Sequence, residues 1–483
     1  VTDIICIEKF DETYNKIIAD PSIVMEMNEY FTFDVPGAKF MPSVRNKIWD
    51  GKVRLLNVMS CLLYAGLNPY IEEFAKKRNY QVIYTSDFSA EEFSLKEAND
   101  FIDSLNIPAK FERRDYQVGA FAYAVRNRRS LLLSPTASGK SFIIYLIARY
   151  YNARTLIIVP TTSLVSQLAS DFADYGFVSD KFVHRIYAGQ DKQSDKPVII
   201  STWQSIYKMP KEYFQQFDVV IGDEAHLFKA KSLTSIMSKL SSCRYRFGFT
   251  GTLDGTNTHK LVLEGLFGIV RKVISTSELI EQKHLSAFTI KCIVLKYPDE
   301  DRKMMKSLDY QGEMDWLVRN EARNRFIKNL TLSLKGNTLL LFQYVDKHGK
   351  VLYNMLKDEG IPVHFVHGGV DGEDREEIRH IVQQSPSSII VASYGTFSTG
   401  VNIRNLHNVI FASPSKSKIR NLQSIGRGLR KSDSKEIATL YDISDDLTWK
   451  NKKNFTILHF VARMTMYNEE KFDYKIYPVN LKV

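Results

Sequence analysis

The sequence predicts an α/β protein with two tandem lobes on parallel sheets and a small N-terminal α/β accessory domain. Three observations lead there. From residue 111 onward, short apolar runs ending in polar or small residues alternate with helical stretches, the pattern of parallel strands covered on both faces. That rhythm then repeats in the second half. The chain, at 483 residues, is also too long for one ordinary core. The expected division is an accessory domain over 1–110, lobe one over 111–295, lobe two over 296–450 and a C-terminal extension over 451–483.

The elements follow in order. Residues 30–57, "YFTFDVPGAKFMPSVRNKIWDGKVRLLN", alternate well enough for strands, with turn signals at Pro36-Gly37 and Asp50-Gly51. "NPYIEEFAKKRNY" (68–80) has helical spacing, and "SLKEANDFIDSL" (94–105) is a helix with Ser94 as cap and Glu97 three residues later. The first set of buried strands is "RSLLLSP" (129–135), "TLIIVPT" (155–161), "PVIIST" (197–202), "DVVIGDE" (218–224) and "YRFGFTGT" (245–252), with helices over 141–151 and 163–175 between them. The second set is "NTLLLFQYV" (337–345), "IPVHFVHGG" (361–369), "SSIIVASY" (387–394), "NVIFASP" (408–414) and "EIATLYDI" (436–443). Residues 297–325 read as a helical connection, because Pro, Gly and Ser are sparse there.

Composition excludes several classes. The apolar fraction of 44% and charged fraction of 25% are those of a soluble globular protein. Cys6, Cys61, Cys243 and Cys292 are scattered without a CxxC pair, which argues against a disulfide framework or a zinc site. No apolar run approaches the ~18 residues of a membrane span. Asp3 and Glu8 stand where a secretion signal needs positive charge, so a cytosolic protein is expected. The net charge of +10 is uneven. Residues 1–110 carry 12 basic and 17 acidic side chains, a net of −5, and residues 111–483 carry 53 and 38, a net of +15. A basic excess of that kind favours a polyanion such as nucleic acid.

Two motifs carry chemistry. "VVIGDEAHL" (219–227) ends a greasy run in Asp223, Glu224 and His226, either because the strand surfaces or because the acids hold a metal beside a phosphate. "LLLSPTASGKS" (131–141) is strand, tight loop and helix, and its end fits a P-loop, with Ser134 in place of the usual first glycine. In that reading the loop around Thr136, Ser138 and Gly139 cradles phosphate oxygens, Lys140 reaches the β/γ-phosphates and Ser141 ligates Mg²⁺. A P-loop nucleotidase also needs a strand-end Asp for the metal and a neighbouring acid for the attacking water, which Asp223 and Glu224 supply. His226 then couples the site to a neighbouring element. "QSIGRGLR" (423–430) sets Arg427 and Arg430 three residues apart, on one helix face. On spacing alone the pair reads as a solvated basic face.

In this order the motifs resemble those of superfamily 2 helicases and translocases, built on two RecA-like lobes, over about residues 111 to 430. "RRDYQ" (113–117) is similar to the adenine-reading motif, with Gln117 the reader; "SPTASGKS" to motif I; and "DEAH" (223–226) to motif II. "VPTTSLVSQ" (159–167) and "STWQS" (201–205) resemble motifs Ia and Ib, and "FTGT" (249–252) resembles motif III, which links hydrolysis to movement through Thr250, Gly251 and Thr252. The resemblance implies nucleic-acid contacts at Thr161, Thr162, Trp203 and Gln204, and at His367 and Gly368 of "FVHGG" (365–369). "SYGTFSTGVNI" (393–403) resembles motif V, with Gly400 and Asn402 facing the nucleotide and Thr396 the nucleic acid. "QSIGRGLR" resembles motif VI, which places Gln423, Arg427 and Arg430 at the nucleotide.

Over nearly its whole length the chain resembles the UvsW recombination helicases of T-even-like phages. "FDVPGAKFMPSVRNKIWDGKVRLL" (33–56), "KSKI" (416–419) and the ending "EEKFDYKIYPVNL" carry the likeness outside the shared motifs. One position departs: Ala225 stands third in motif II, where the UvsW pattern has cysteine and the wider superfamily often has alanine. The resemblance implies an ATP- and Mg²⁺-dependent DNA motor, moving 3′→5′, acting on forks, Holliday junctions, D-loops and R-loops in recombination, repair and replication restart. Branched, single- or double-stranded DNA and RNA–DNA hybrids are the implied partners, with recombination or single-strand-binding proteins besides, in the host cytoplasm for a phage protein. Alternatives are an RNA helicase, the motor subunit of a restriction complex, or an ATP-gated clamp that does not move. Within the acidic N-terminal domain, Lys39, Arg45, Lys47, Lys52 and Arg54 surround Trp49 with Asp50 the single acid among them. That cluster reads equally as a DNA contact and as an amphipathic hairpin with Trp49 in its core.

Overall fold

The structure, a computed structural model, describes residues 3–86, 90–135, 137–187, 191–227, 230–253, 256–285, 287–370, 372–399, 405–413 and 437–481. They form two compact units, Val1–Ser134 with Gly139–Val273, and Pro135–Ser138 with Ile274–Val483.

The first unit begins with β1 (Ile4–Lys9), β2 (Tyr14–Ile18), β3 (Thr32–Asp34), β4 (Lys52–Arg54), β5 (Leu62–Tyr64) and β6 (Gln81–Tyr84). Strands β5-β2-β1-β6 make one sheet, antiparallel except for the β1–β6 pair, and β3 pairs with β4. Alternation along β1 turns Ile5 and Ile7 inward, where helices Pro21–Tyr30 and Asn68–Arg78 cover them with Ile23, Met27, Ile71 and Phe74. The strands expected across 30–57 are confined to its ends. Between them, Gly37 takes a φ of +76° and Pro42 opens a helical turn, so Ala38–Phe40 and Pro42–Arg45 coil.

The helix Leu95–Ser104 does carry the Ser94/Glu97 capping box, but it does not belong with the accessory sheet. Its Ala98 and Ile102 join Phe121 and Val125 in the core of the lobe that follows. The accessory sheet is itself fixed to that lobe. A Cβ on Gly66 would lie 2.0 Å from the Glu264 carbonyl oxygen, so only glycine permits this approach. Tyr70 donates to Glu264 at 2.7 Å, and the fully buried Arg246 donates to Thr13 at 2.9 Å.

Lobe one is a seven-stranded parallel sheet, in the order β13-β7-β12-β11-β8-β10-β9. Its strands are β7 (Arg129–Leu133), β8 (Thr155–Val159), β9 (Val183–Ile186), β10 (Val198–Thr202), β11 (Val219–Gly222), β12 (Tyr245–Thr250) and β13 (Val270–Lys272). Continuous runs such as LIIV in β8 are buried throughout because helices cover both faces. The register pairs Leu133 with Thr250 and Gly222 with Gly248. The segments leaving β7, β12 and β11 therefore emerge side by side on the carboxyl edge, where ligands of open α/β sheets bind.

The second unit repeats the architecture with β14 (Ala287–Lys296), β15 (Thr338–Phe342), β16 (Val363–Val366), β17 (Ile389–Ser393), β18 (Asn408–Phe411), β19 (Ile437–Asp446) and β20 (Tyr474–Asn480). The order is β16-β17-β15-β18-β19-β14-β20, all parallel. Two expected boundaries shift. β14, assigned by sequence to the end of lobe one, pairs with β19 and β20 in this sheet. The C-terminal residues are not an appendage: β20 extends the sheet, and Glu313 accepts hydrogen bonds from the backbone N–H groups of Phe455 and Thr456, capping helix Phe455–Glu469. Buried bidentate pairs lock β19 from both faces, Arg323 on Asp445 and Arg463 on Asp442, each made of 2.8–3.0 Å contacts. Among the described residues no helix is long and apolar enough to cross a membrane.

Candidate nucleotide site and nucleic-acid contacts

The site stands where β7, β11 and β12 end. Helix Lys140–Tyr151 starts there, preceded by Gly139 with a φ of +79°. The left-handed backbone there favours glycine, and a Cβ on Gly139 would come within 2.2 Å of Gln117 Nε2, so the Gln117 amide lies directly against this glycine. Gln117 is buried, and its Oε1 accepts from the Arg114 N–H at 3.1 Å. Its amide group is thereby held directly against the P-loop end.

Asp223 follows β11 with its N–H bonded to the Ile158 carbonyl at 2.9 Å, and its carboxylate accepts the Glu224 N–H at 2.9 Å. Glu224 sits at a φ of +50°, an uncommon conformation for a non-glycine residue, and one that turns its side chain toward the P-loop. Lys140 Nζ donates to Glu224 Oε1 at 2.5 Å, with both side chains less than one-fifth exposed. Burial raises the Asp223 carboxyl to about 6, opposed by the Lys140 charge and reinforced by that of Glu224.

The remaining contacts link this centre outward. His226 Nδ1 lies 2.6 Å from Thr250 Oγ1, which donates to the Thr252 carbonyl at 2.7 Å. Motif II is thus joined to the segment after β12. Gly251 faces the same centre, where an added Cβ would lie 3.8 Å from Lys140 Nζ. Ser141 Oγ lies 2.9 Å from the hydroxyl of Tyr175, a residue the sequence reading missed. Nothing around "DYGF" signals that role; it depends on helix Thr162–Asp174 returning beside helix Lys140–Tyr151. Burial pushes the Tyr175 phenol up to about 12, so it remains a neutral hydroxyl. Ser138 Oγ is turned to the Pro135 carbonyl at 2.7 Å.

The expected nucleic-acid contacts of lobe one also share an edge. Parallel β8 and β10 pair Val159 with Thr202, so the helices opening at Thr162 and Trp203 begin side by side. Thr161 caps the first helix through Leu164 N at 3.4 Å, Thr162 and Gln204 are exposed, and Trp203 is half-buried. In the second unit Gly368 is exposed and His367 half-buried, with the Gly369 N–H on its Nδ1 at 3.1 Å. Thr396 is buried, 2.8 Å from Ser393 Oγ, and offers no exposed surface. Thr136, Gly400, Asn402, Gln423, Arg427 and Arg430 lie outside the described residues. On the N-terminal hairpin Lys39, Arg45, Lys47, Lys52 and Arg54 are all exposed, while Trp49 is half-buried and donates to the Lys52 carbonyl at 2.9 Å. Arg54 is paired with Asp50 at 2.5 Å.

Chemically, a half-buried lysine, two strand-end carboxylates and a helix-start serine suit the phosphates of a nucleotide and a hard cation. Among the described residues no group of three or more His, Cys, Asp or Glu side chains could hold a metal alone. A cation here would take Ser141, Asp223, water and phosphate as its ligands.

Comparison with known proteins agrees with this chemistry. Residues 108–255 match the family described as type III restriction enzyme, res subunit; residues 321–432 match the helicase conserved C-terminal domain; and residues 5–85 match the N-terminal domain of the DNA helicase UvsW. The chain is 36% identical over 496 aligned positions to the ATP-dependent DNA helicase uvsW of Enterobacteria phage T4, covering 98% of each. It is 24% identical to the DNA 3′-5′ translocase XPB2 of Sulfurisphaera tokodaii, over 72% of this chain and 86% of that protein. The crystal structure of T4 UvsW superposes with a TM-score of 0.52 at 36% identity, covering 99% of this chain and 100% of that one.

Proposed function

Because the chain belongs to the UvsW family of superfamily 2 helicases, and is an ATP-dependent helicase, we propose that it unwinds and branch-migrates branched DNA: forks, Holliday junctions, D-loops and R-loops. It does so in recombination, repair and replication restart, in the host cytoplasm if the chain is a phage protein. Ser141 and Asp223 would hold the Mg²⁺ that accompanies ATP. Bound there, it would supply neutralisation of the phosphate charge. Lys140 takes the β/γ-phosphates once it leaves Glu224, and Glu224 then orients and deprotonates the attacking water. His226 and Thr250 carry the change at the carboxylates to the segment ending at Thr252, and Arg427 and Arg430 complete the transition state. The 3′→5′ direction rests on likeness to the archaeal translocase.

The observation that carries the branched-DNA reading is the N-terminal hairpin. It presents five basic side chains to solvent from a two-stranded sheet in the same domain as the four-stranded sheet that is fixed to lobe one, and that domain is otherwise net acidic. Side chains mounted in this way hold phosphates at a set position relative to Thr161, Thr162, Trp203 and Gln204. Lys39→Glu with Lys47→Glu tests it by fluorescence anisotropy on a four-way junction across a salt series. Weaker binding is expected, with a log–log salt slope shallower by about one unit per lost phosphate contact. Unchanged affinity and slope in the folded variant reject the reading. Unwinding confined to RNA would favour an RNA helicase instead.

A further inference from the structure

The same hairpin carries a second surface that phosphate contact does not explain. Its connecting loop is closed at the base, where the Val35 N–H bonds to the Gly51 carbonyl at 2.9 Å. Inside, Gly51 packs so closely that an added Cβ would lie 3.0 Å from Ala38 Cβ and 3.6 Å from Val44 Cγ2. The Ile48 and Trp49 N–H groups both bond to the Ser43 carbonyl, at 2.9 and 3.1 Å, and the Trp49 indole clamps the closing strand. A loop braced by its own contacts in this way presents a fixed outer face.

That face is apolar where it should be polar. Phe40 is 73% exposed and Ile48 78%, with Met41 beside Phe40 also exposed. Alanine and valine fill the inside while the larger side chains point to solvent. Around them stand Lys39, whose Nζ lies 5.1 Å from the Phe40 ring centre, Arg45 and Lys47. Among the described residues Lys39, Arg45, Lys47 and Lys52 form no ion pair, whereas Arg54 is engaged by Asp50. The tip is thus apolar and rimmed by unneutralised cations. It suits a polyanion that also offers flat apolar faces, which is nucleic acid with an unstacked base step.

We propose that Phe40 and Ile48 form a wedge that enters the branch point of DNA. Phe40 stacks on the base pair flanking the branch, Ile48 fills the opened step, and Lys39 and Lys47 hold the phosphates on either side. The proposal rests on the reading that this hairpin meets branched DNA, and adds what it does there. Phosphate contacts set affinity; the apolar tip keeps the strands apart as the motor advances.

The test separates the two roles. A four-way junction carries 2-aminopurine at the pair flanking the branch, and its fluorescence rises when that base unstacks. Phe40→Ala with Ile48→Ser is compared with wild type and with the Lys39→Glu, Lys47→Glu variant, each at saturating protein. Both apolar residues are largely exposed, so truncation leaves the core intact, and an unchanged melting curve confirms it. The expected result is loss of the fluorescence rise in the apolar variant. ATP consumed per base pair opened should rise about tenfold, the scale of one lost base–aromatic stack. Its salt slope should stay near wild type, while that of the charge-reversed variant falls. A full fluorescence rise and normal coupling in the folded apolar variant overturn the wedge. If only the charge-reversed variant behaves as wild type, the phosphate-contact reading fails and the wedge result stands on its own signal.

Discussion

Glu224→Gln should hydrolyse ATP far more slowly while binding it at least as well as wild type. Glutamine keeps the shape of Glu224 and an oxygen for Lys140 but loses the charge. Lys140 Nζ is held 2.5 Å from Glu224 Oε1, and the two side chains are only 13% and 18% exposed. Lysine must leave that contact to reach a phosphate. The bond to glutamine stays charge-assisted through the lysine ammonium, but the ion pair is lost; within the range of about 1.5–3 kcal/mol for such bonds the hold weakens by about 1 kcal/mol. That corresponds to roughly fivefold tighter ATP, at about 1.4 kcal/mol per factor of ten. Removing the Glu224 charge also removes a cause that raises Asp223, which favours its ionised, metal-binding form. Loss of the group that activates water should lower kcat by roughly 10²- to 10⁴-fold. Titration with a fluorescent ATP analogue measures the first effect and single-turnover hydrolysis the second. Binding weakened tenfold, with normal hydrolysis per bound ATP, would show that Glu224 only positions Lys140 and would refute the argument.

Other perturbations test neighbouring parts. Arg427→Ala and Arg430→Ala should each lower kcat, on the order of 10³-fold, with little change in KM, because their contribution belongs to the transition state; a change in KM alone would contradict that role. Tyr175→Phe removes the hydroxyl 2.9 Å from Ser141 Oγ and should raise the Mg²⁺ concentration for half-maximal ATPase by roughly two- to tenfold, the worth of one neutral hydrogen bond; an identical Mg²⁺ titration would show that the contact is incidental. Asp223→Asn should abolish turnover yet melt no lower than wild type at pH 8. Burial raises the folded carboxyl above its unfolded value, so the ionised form weakens the fold above about pH 6 and that penalty fades toward pH 4. The stability advantage of the variant should therefore shrink as the pH falls, and a variant less stable at pH 8 would contradict the cause given for the shift.

Much of the architecture is legible because parallel strands are chemically conspicuous. LLL, LIIV, VIIS and VVIG could be read directly as buried strands, since helices on both faces leave no polar alternation. The short edge strand β13, with the sequence VRK, is half-exposed and carries no such signal. β14 falls within the span that the sequence gives to lobe one because its partner residues in β19 lie 150 positions further along, as in Ala287 with Ile437, and pairing at that distance leaves no local mark. The loop between β3 and β4 coils because of Pro42 and a left-handed Gly37, which outweigh the alternation around them. At the site, Lys140, Asp223 and Glu224 were legible from their motifs, and the structure brings them together. Tyr175 was not, because its role comes only from the return of a helix, and the exposure of Phe40 and Ile48 leaves no mark in the sequence.

The central claim is an ATP-driven motor that prefers branched DNA. It is tested most directly by unwinding rates on single-flap duplex, fork, four-way junction, RNA–DNA hybrid and duplex RNA, measured side by side with ATP and Mg²⁺ and with Lys140→Ala as control. Fork and junction should be opened fastest, and Lys140→Ala should open none. Opening of duplex RNA alone, or of any substrate at the wild-type rate by Lys140→Ala, would contradict it.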